Sequence, residues 1–187
     1  HTIIASGPLF NLGTDGVSMK IKNLDLTSST SAEGPFIDVS GGEAVIESCS
    51  FFAMTDRPFR LTGGRLSISG CSFTENCTGV SKVSGVAMTG GDLEVTGTVF
   101  KNNGSTASNS SSVISCGNPC KGSIITFRDC VFDRNKSKGT SNGVIAMVLQ
   151  FAGTLYMTNC VVANNVNNRY GIIHQSANTA TTGDTKS

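Results

Sequence analysis

Gly63-Gly64-Arg65-Leu66-Ser67-Ile68-Ser69-Gly70-Cys71-Ser72-Phe73 decides the fold, because the chain repeats it. Gly41 to Phe51 reads GGEAVIESCSF, and Gly90 to Phe100 reads GGDLEVTGTVF. Looser copies run from Lys121 to Phe132 (KGSIITFRDCVF) and from Ala152 to Val162 (AGTLYMTNCVV), with an earlier echo at Asp15 to Leu26. The second glycines of the phrase are Gly16, Gly42, Gly64, Gly91, Gly122 and Gly153, spaced 26, 22, 27, 31 and 31 residues apart. A recurrence of this length means stacked supersecondary units, each burying its neighbour's apolar face. The phrase is nearly constant, so the variation in spacing belongs to loops.

Within the phrase, Leu66, Ile68 and Phe73 alternate with Arg65, Ser67 and Ser69. A period of two is the pattern of a strand with one buried face. No stretch carries a capped 3.6-residue stripe, and glycine recurs too often for long helices. A second strand precedes each glycine pair: Leu9 to Leu12, Pro35 to Val39, Pro58 to Thr62, Gly85 to Thr89, Ser112 to Ser115, Gly143 to Leu149 and Gly171 to His174. Each period thus offers two strands, with room for a third. A turn of about 22 residues fits one coil of a solenoid. The expectation is an all-β, right-handed parallel β-helix of six to seven coils, a single domain over 1–187. The glycine pairs take the corners, where positive φ or close backbone approach is needed. A leucine-rich horseshoe is excluded by the scarcity of Leu, and a β-sandwich by the recurrence of one phrase.

Stacking places equivalent residues in columns. Cys49, Cys71, Thr98, Cys130 and Cys160 form one, with Leu24 below. Phe51, Phe73, Phe100, Phe132 and Val162 form a second, facing inward. Asn76, Asn103, Asn135 and Asn165 form a third, three residues after the aromatic or valine. An asparagine column at a corner can satisfy turn backbone through its amides.

The Gly-Gly-x-apolar phrase followed by Phe-x-x-Asn (Phe73–Asn76, Phe100–Asn103, Phe132–Asn135) resembles the repeat of the polymorphic outer membrane protein passengers of chlamydiae and their relatives. The resemblance spans roughly Gly41 to Asn165. It implies a surface-exposed right-handed β-helix associated with adhesion. Leu26 replaces the Phe in the first coil and Met54 replaces the Asn in the second. No membrane-barrel segment is read in the chain, so autotransport is not implied.

Basic and acidic residues are nearly balanced, 14 against 13. That balance speaks against nucleic acid or an anionic membrane as partner. Charged residues make up 14% of the chain, against about 25% in ordinary domains, and Ser, Thr, Asn and Gly fill the surface instead. Such a surface suits secreted and cell-wall proteins, or one covered by glycans or other subunits. No apolar stretch is long enough for a transmembrane helix, so no membrane insertion is expected. The chain starts at His1 rather than Met, as expected of a processed or partial chain. The expected location is extracellular or cell-surface.

Seven cysteines without a metal motif also suit an oxidising compartment. Cys116-Gly-Asn-Pro-Cys120 is a tight turn suited to a local disulfide. Cys49 with Cys71 and Cys130 with Cys160 lie one coil apart, within reach of a disulfide but with side chains poorly aimed. Two readings stand for that column: bridges, or reduced buried thiols acting as small apolar groups. Cys77 is left over in both. Four Asn-x-Ser/Thr sequons occur, at Asn76, Asn103, Asn109 and Asn135. Asn109, in a Ser/Asn loop, is the foremost glycan candidate. The other three carry glycans only if the asparagine column faces outward, and the inward arrangement is favoured.

No cofactor, metal site or catalytic constellation is expected. His1 with His174 would make a copper brace only if the two ends of the solenoid met. Asp92, Glu94, Asp129 and Asp133 are the acids nearest to a lyase or hydrolase cluster, and solvated charges on a sheet face are their plainer reading. Neither end shows an amphipathic capping helix. Ile3 and Ile4 lie in a short apolar segment within an N-terminal arm, 1–8. Ile172 and Ile173 lie in the last coil, ahead of a polar tail, 176–187. These four isoleucines are the candidate assembly residues. The expected function is a non-catalytic subunit of a surface fibre or sheath, polymerising through solenoid ends or the arm. An adhesin binding host or glycan surfaces is the first alternative, and a polysaccharide lyase or hydrolase the second.

Overall fold

The phrase forms a strand wherever it occurs. A computed structural model describes residues 2–29, 33–78, 82–105, 112–117, 120, 122–137, 145–147, 153–167 and 173–175, with backbone alone at 146–147 and 174–175. Ser18–Lys22, Glu43–Glu47, Arg65–Ser69, Asp92–Thr96, Ile124–Arg128 and Thr154–Thr158 pair in that order as a six-stranded parallel sheet, here the phrase sheet. Thr2–Ala5, Asp25–Ser28, Ser50–Phe52, Ser72–Thr74, Val99–Lys101, Val131–Asp133 and Val161–Ala163 make the phenylalanine sheet. Phe10–Leu12, Ile37–Val39, Phe59–Leu61, Val86–Met88, Ile114–Cys116, Ile145–Met147 and Ile173–Gln175 make the lead-in sheet. Gly104–Ser105, Lys136–Ser137 and Val166–Asn167 add a short corner sheet. All pairings are parallel, and the described residues contain no helix. The coil is therefore three-sided, with a short fourth side in its later turns, and parallel crossovers of this kind wind right-handed.

Pairing joins equivalent residues of successive phrases. Phe51, Phe73, Phe100 and Phe132 lie in register and are fully buried. Their rings stack with centroids 4.7, 4.7 and 4.8 Å apart. That spacing matches the strand separation of a sheet and lies in the favourable range for stacked aromatics. Leu26 and Ile3 continue the column downward, and Val162 continues it upward.

Corners are tight because coils are only one strand apart. Gly64 has φ +68°, and a Cβ there would lie 2.4 Å from the Gly42 carbonyl oxygen. A side chain at this position would be blocked twice, by backbone conformation and by the coil beneath. The largest length variation falls between the phenylalanine sheet and the next lead-in strand, with a smaller one between lead-in and phrase strands. Phe52 and Phe59 are 7 apart, whereas Lys101 and Ile114 are 13 apart.

The structure corrects one expectation. Thr2–Ala5 is not a free arm. It pairs with Asp25–Ser28 over its whole length, Ile3 on Leu26 and Ile4 on Thr27. The four residues alternate as any outer strand of the solenoid does, ending on a buried Ala5. The polar tail 176–187, Asn109, Ile172 and His1 lie outside the described residues.

Candidate functional site

The Asn column, a glycan row only if it faced outward, and the Cys column, read either as bridges or as reduced thiols, are both internal. Asn76, Asn103 and Asn135 are fully buried. Each side-chain oxygen accepts the backbone N–H one coil below: Met54 N–H to Asn76 at 3.0 Å, Asn76 N–H to Asn103 at 3.0 Å, Asn103 N–H to Asn135 at 3.0 Å. Asn165 does the same for Asn135 at 2.8 Å. Each amide nitrogen donates to a core carbonyl of that lower coil, at Phe51, Phe73, Phe100 and Phe132. These contacts satisfy two buried backbone groups per coil. A glycan on Asn76, Asn103 or Asn135 would need the amide nitrogen that the ladder uses.

Cys49, Cys71, Cys130 and Cys160 are free thiols, as is Cys77. Of the two readings of this column, the reduced thiols are the one the structure has, and the hydrogen bonding supplies the reason. Each group in the column donates to the carbonyl two residues earlier on its own strand: Cys49 to Glu47, Cys71 to Ser69, Thr98 to Thr96, Cys130 to Arg128, Cys160 to Thr158. Two also accept from below, Cys71 from Cys49 N–H and Thr98 from Cys71 N–H. The position selects a small group with one donor, which both thiol and hydroxyl provide. Burial raises the Cys71 thiol to about 11 and the Cys77 thiol to about 12, so both are weak nucleophiles. The expected local bridge Cys116–Cys120 is present, with Cα atoms 6.0 Å apart. It closes a loop inserted between lead-in and phrase strands.

The outward face of the phrase sheet carries the charge. Glu47 lies 2.7 Å from Lys20 and 3.1 Å from Lys22, whose hydrogen bonds hold its carboxyl below the ordinary range. Arg65 pairs with Glu94 and lies 3.8 Å from Glu43. Asp92 accepts the Ile124 N–H at 2.8 Å. A shallow cleft lies among Arg65, Asp92, Glu94, Ile124 and Thr126. The four acids proposed as a cluster do not share a face. Asp92 and Glu94 are on the phrase sheet. Asp129 occupies a left-handed corner. Asp133 is on the phenylalanine sheet, held by Asn164 and Arg134. Among the described residues no group of His, Cys, Asp and Glu is arranged to hold a metal ion.

Two ionic nodes outside the phrase sheet were not anticipated. Arg60 grips Asp38 with two nitrogens, which raises the guanidinium's pKa. Asp56 is 2% exposed. Burial pushes its carboxyl up, but the Arg57 and Gly34 N–H groups and Lys82 outweigh that and lower it overall. The node ties the loops of three successive coils together. The first node was legible, since Asp38 and Arg60 occupy the same place in consecutive lead-in strands. The second belongs to loops that repeat nothing.

The solenoid's ends differ from its middle. Among the described residues eleven large hydrophobics are exposed; of these, Ile4, Leu9 and Val17 lie in the first coil, and Tyr156, Val161, Val162, Val166 and Ile173 in the last described coil. Val162 is 39% exposed where Phe132, one coil below, is fully buried. Ile4 is 72% and Ile173 44% exposed. Ile3 and Ile4 lie in the first described coil and Ile173 in the last.

The family model described as right handed beta helix region matches residues 11–185. No curated protein and no solved structure shows significant similarity to the chain.

Proposed function

The chain belongs to the right handed beta helix family, and from that premise we propose that it is a non-catalytic structural protein of a cell surface, building a fibre or sheath end to end. The concentration of exposed apolar side chains in the end coils carries this reading. Among the described residues, eight of eleven fall there. Apolar patches of this kind mark contact sites. Thr2–Ala5 and Val161–Ala163 are the outermost described strands of their sheet, and an outermost strand favours a further one. The interior supports the same role. Stacked rings, an asparagine ladder and buried thiols make a rigid rod. The bridge Cys116–Cys120 favours an oxidising, extracellular setting.

Sedimentation velocity on the 187-residue chain, from micromolar to hundreds of micromolar, tests the reading. The expected result is a concentration-dependent series of species. Val162→Asp, which places an unpaired charge in the end surface, is expected to weaken association at least ~10-fold. A single monomeric species at every concentration would refute it.

An adhesin that binds along its side is the second reading. The cleft beside Arg65, with Ile124 46% and Tyr156 56% exposed on the same face, favours it. The polymorphic outer membrane protein resemblance points the same way. Against a lyase or hydrolase weighs the separation of Asp129 and Asp133 from Asp92 and Glu94.

A further inference from the structure

We infer that the folded solenoid and N-glycosylation exclude one another at Asn76, Asn103 and Asn135. These three sequons take an oligosaccharide only in the unfolded chain, and a chain that takes one cannot close its coils. The inference concerns covalent modification and stands apart from the end-to-end reading.

Asn76-Cys77-Thr78, Asn103-Gly104-Ser105 and Asn135-Lys136-Ser137 each meet the Asn-x-Ser/Thr rule, which ordinarily marks a surface loop. Here the motif arises from packing. The ladder places a buried asparagine at the first position of each. In two of them the third position lies in the short corner sheet, where Ser105 is 5% exposed and Ser137 is fully buried. An internal asparagine followed two residues later by an internal serine spells an acceptor sequence for structural reasons alone.

Transfer joins the side-chain amide nitrogen to the anomeric carbon of a polyprenyl-diphosphate-linked oligosaccharide. The N–C bond forms as the C–O bond to diphosphate breaks, the polyprenyl diphosphate leaves, and the nitrogen gives up one proton. In the folded chain that nitrogen is engaged. Asn76 donates to the Phe51 carbonyl at 3.0 Å. Asn103 donates to the Phe73 carbonyl at 2.8 Å and to the Asn135 side chain at 2.9 Å. Asn135 donates to the Phe100 carbonyl at 2.9 Å and to the Asn165 side chain at 3.0 Å. Asn103 and Asn135 thus use both amide protons, and no donor reaches a fully buried side chain. The exclusion also runs the other way. A glycosylated nitrogen carries a group larger than any void of a close-packed core, so the modified asparagine cannot return to the ladder.

The ladder bonds also set the order of closure. Each asparagine docks on the coil made before it. Asn76 bonds Phe51 and Met54, 25 and 22 residues earlier. Asn103 bonds Phe73 and Asn76, 30 and 27 residues earlier. Asn135 bonds Phe100 and Asn103, 35 and 32 residues earlier. A repeat that needs only its neighbour can therefore sequester its sequon during synthesis, without waiting for later coils. Transfer competes with the docking of one coil rather than with completion of the molecule.

A eukaryotic-type oligosaccharyltransferase with a lipid-linked donor tests the inference, read by mass-spectrometric peptide mapping. The substrates are the folded, unglycosylated 187-residue chain and synthetic peptides spanning 71–81, 98–107 and 130–140. The peptides are expected to be modified. The folded chain is expected to react at least ~100-fold more slowly at the three asparagines, because reaction must pass through its small unfolded fraction. Modification of folded Asn103 or Asn135 at the peptide rate would overturn the inference, as would refusal of all three peptides. The reverse direction is read by translating the chain into secretory microsomes and separating glycosylated from unglycosylated molecules on a lectin. Limited proteolysis should digest molecules with a glycan at any of the three positions and spare those without one. Protease-resistant molecules with a glycan mapped to Asn103 would overturn the exclusion.

Discussion

Asn103→Ala should be the most damaging single change among the polar residues of the core. Asn103 is fully buried. Its oxygen accepts the Asn76 N–H at 3.0 Å. Its nitrogen donates to the Phe73 carbonyl at 2.8 Å and to the Asn135 side chain at 2.9 Å. Truncation orphans one buried donor and one buried acceptor of the backbone, each costing about 1–3 kcal/mol. The void adds to this, so the expected total is about 4 kcal/mol. Domains of this size have about 5–15 kcal/mol in all. Asn165→Ala supplies the internal control. Asn165 bonds the same kinds of partner, at 2.8 and 2.7 Å, but is only partly buried. Water can replace it there, and the expected loss is about 1 kcal/mol. Urea unfolding followed by circular dichroism measures both, with m unchanged in each variant. Equal losses for Asn103→Ala and Asn165→Ala, or a loss below about 1 kcal/mol for Asn103→Ala, would refute the ladder as a load on the backbone.

Three further outcomes follow from named contacts. Thr98→Cys should be nearly neutral and Thr98→Val should cost about 1–2 kcal/mol, since valine removes the donor to Thr96 and the acceptor for Cys71 N–H; equal stabilities by urea titration would contradict the donor role of the column. Asp56 has a lowered folded pKa, so its contribution is present above the unfolded value of about 3.9 and is lost as pH falls through the folded one. Asp56→Asn should therefore cost about 3 kcal/mol at pH 7 and flatten the stability profile below about pH 4; a profile parallel to wild type there would count against the node. In native protein a thiol reagent at pH 8 should modify Cys160 first, with Cys71 and Cys77 protected until unfolding because burial holds them near 11 and 12; peptide mapping that finds Cys77 labelled early would oppose its buried placement.

The columns were legible because each phrase supplies an independent reading of the same position. Phe73, Leu66 and Ile68 face inward in every copy, so strand and register followed from alternation alone. The direction of the asparagine column did not follow. Phe-x-x-Asn fixes where Asn76 lies along the coil, but a left-handed residue intervenes at Glu75 (φ 57°), and alternation fails across such a corner. Thr98 was the available clue to the thiol column, since a hydroxyl in the same place points to hydrogen bonding rather than to bridges. Thr2–Ala5 looked like an arm because no glycine pair precedes it. Its partner strand Asp25–Ser28 follows the weakest copy of the phrase. Asp56 and Lys82 sit in loops of unequal length, where no repeat compares one coil with the next, and only the folded chain brings them together.

Electron microscopy of the concentrated chain tests end-to-end continuation most directly. The phenylalanine and lead-in sheets hold seven strands each, and strands stack about 4.8 Å apart, so end-to-end assembly predicts unbranched rods one solenoid wide and longer than the about 34 Å of a single chain's strands. Compact, separate particles at every concentration would contradict the account.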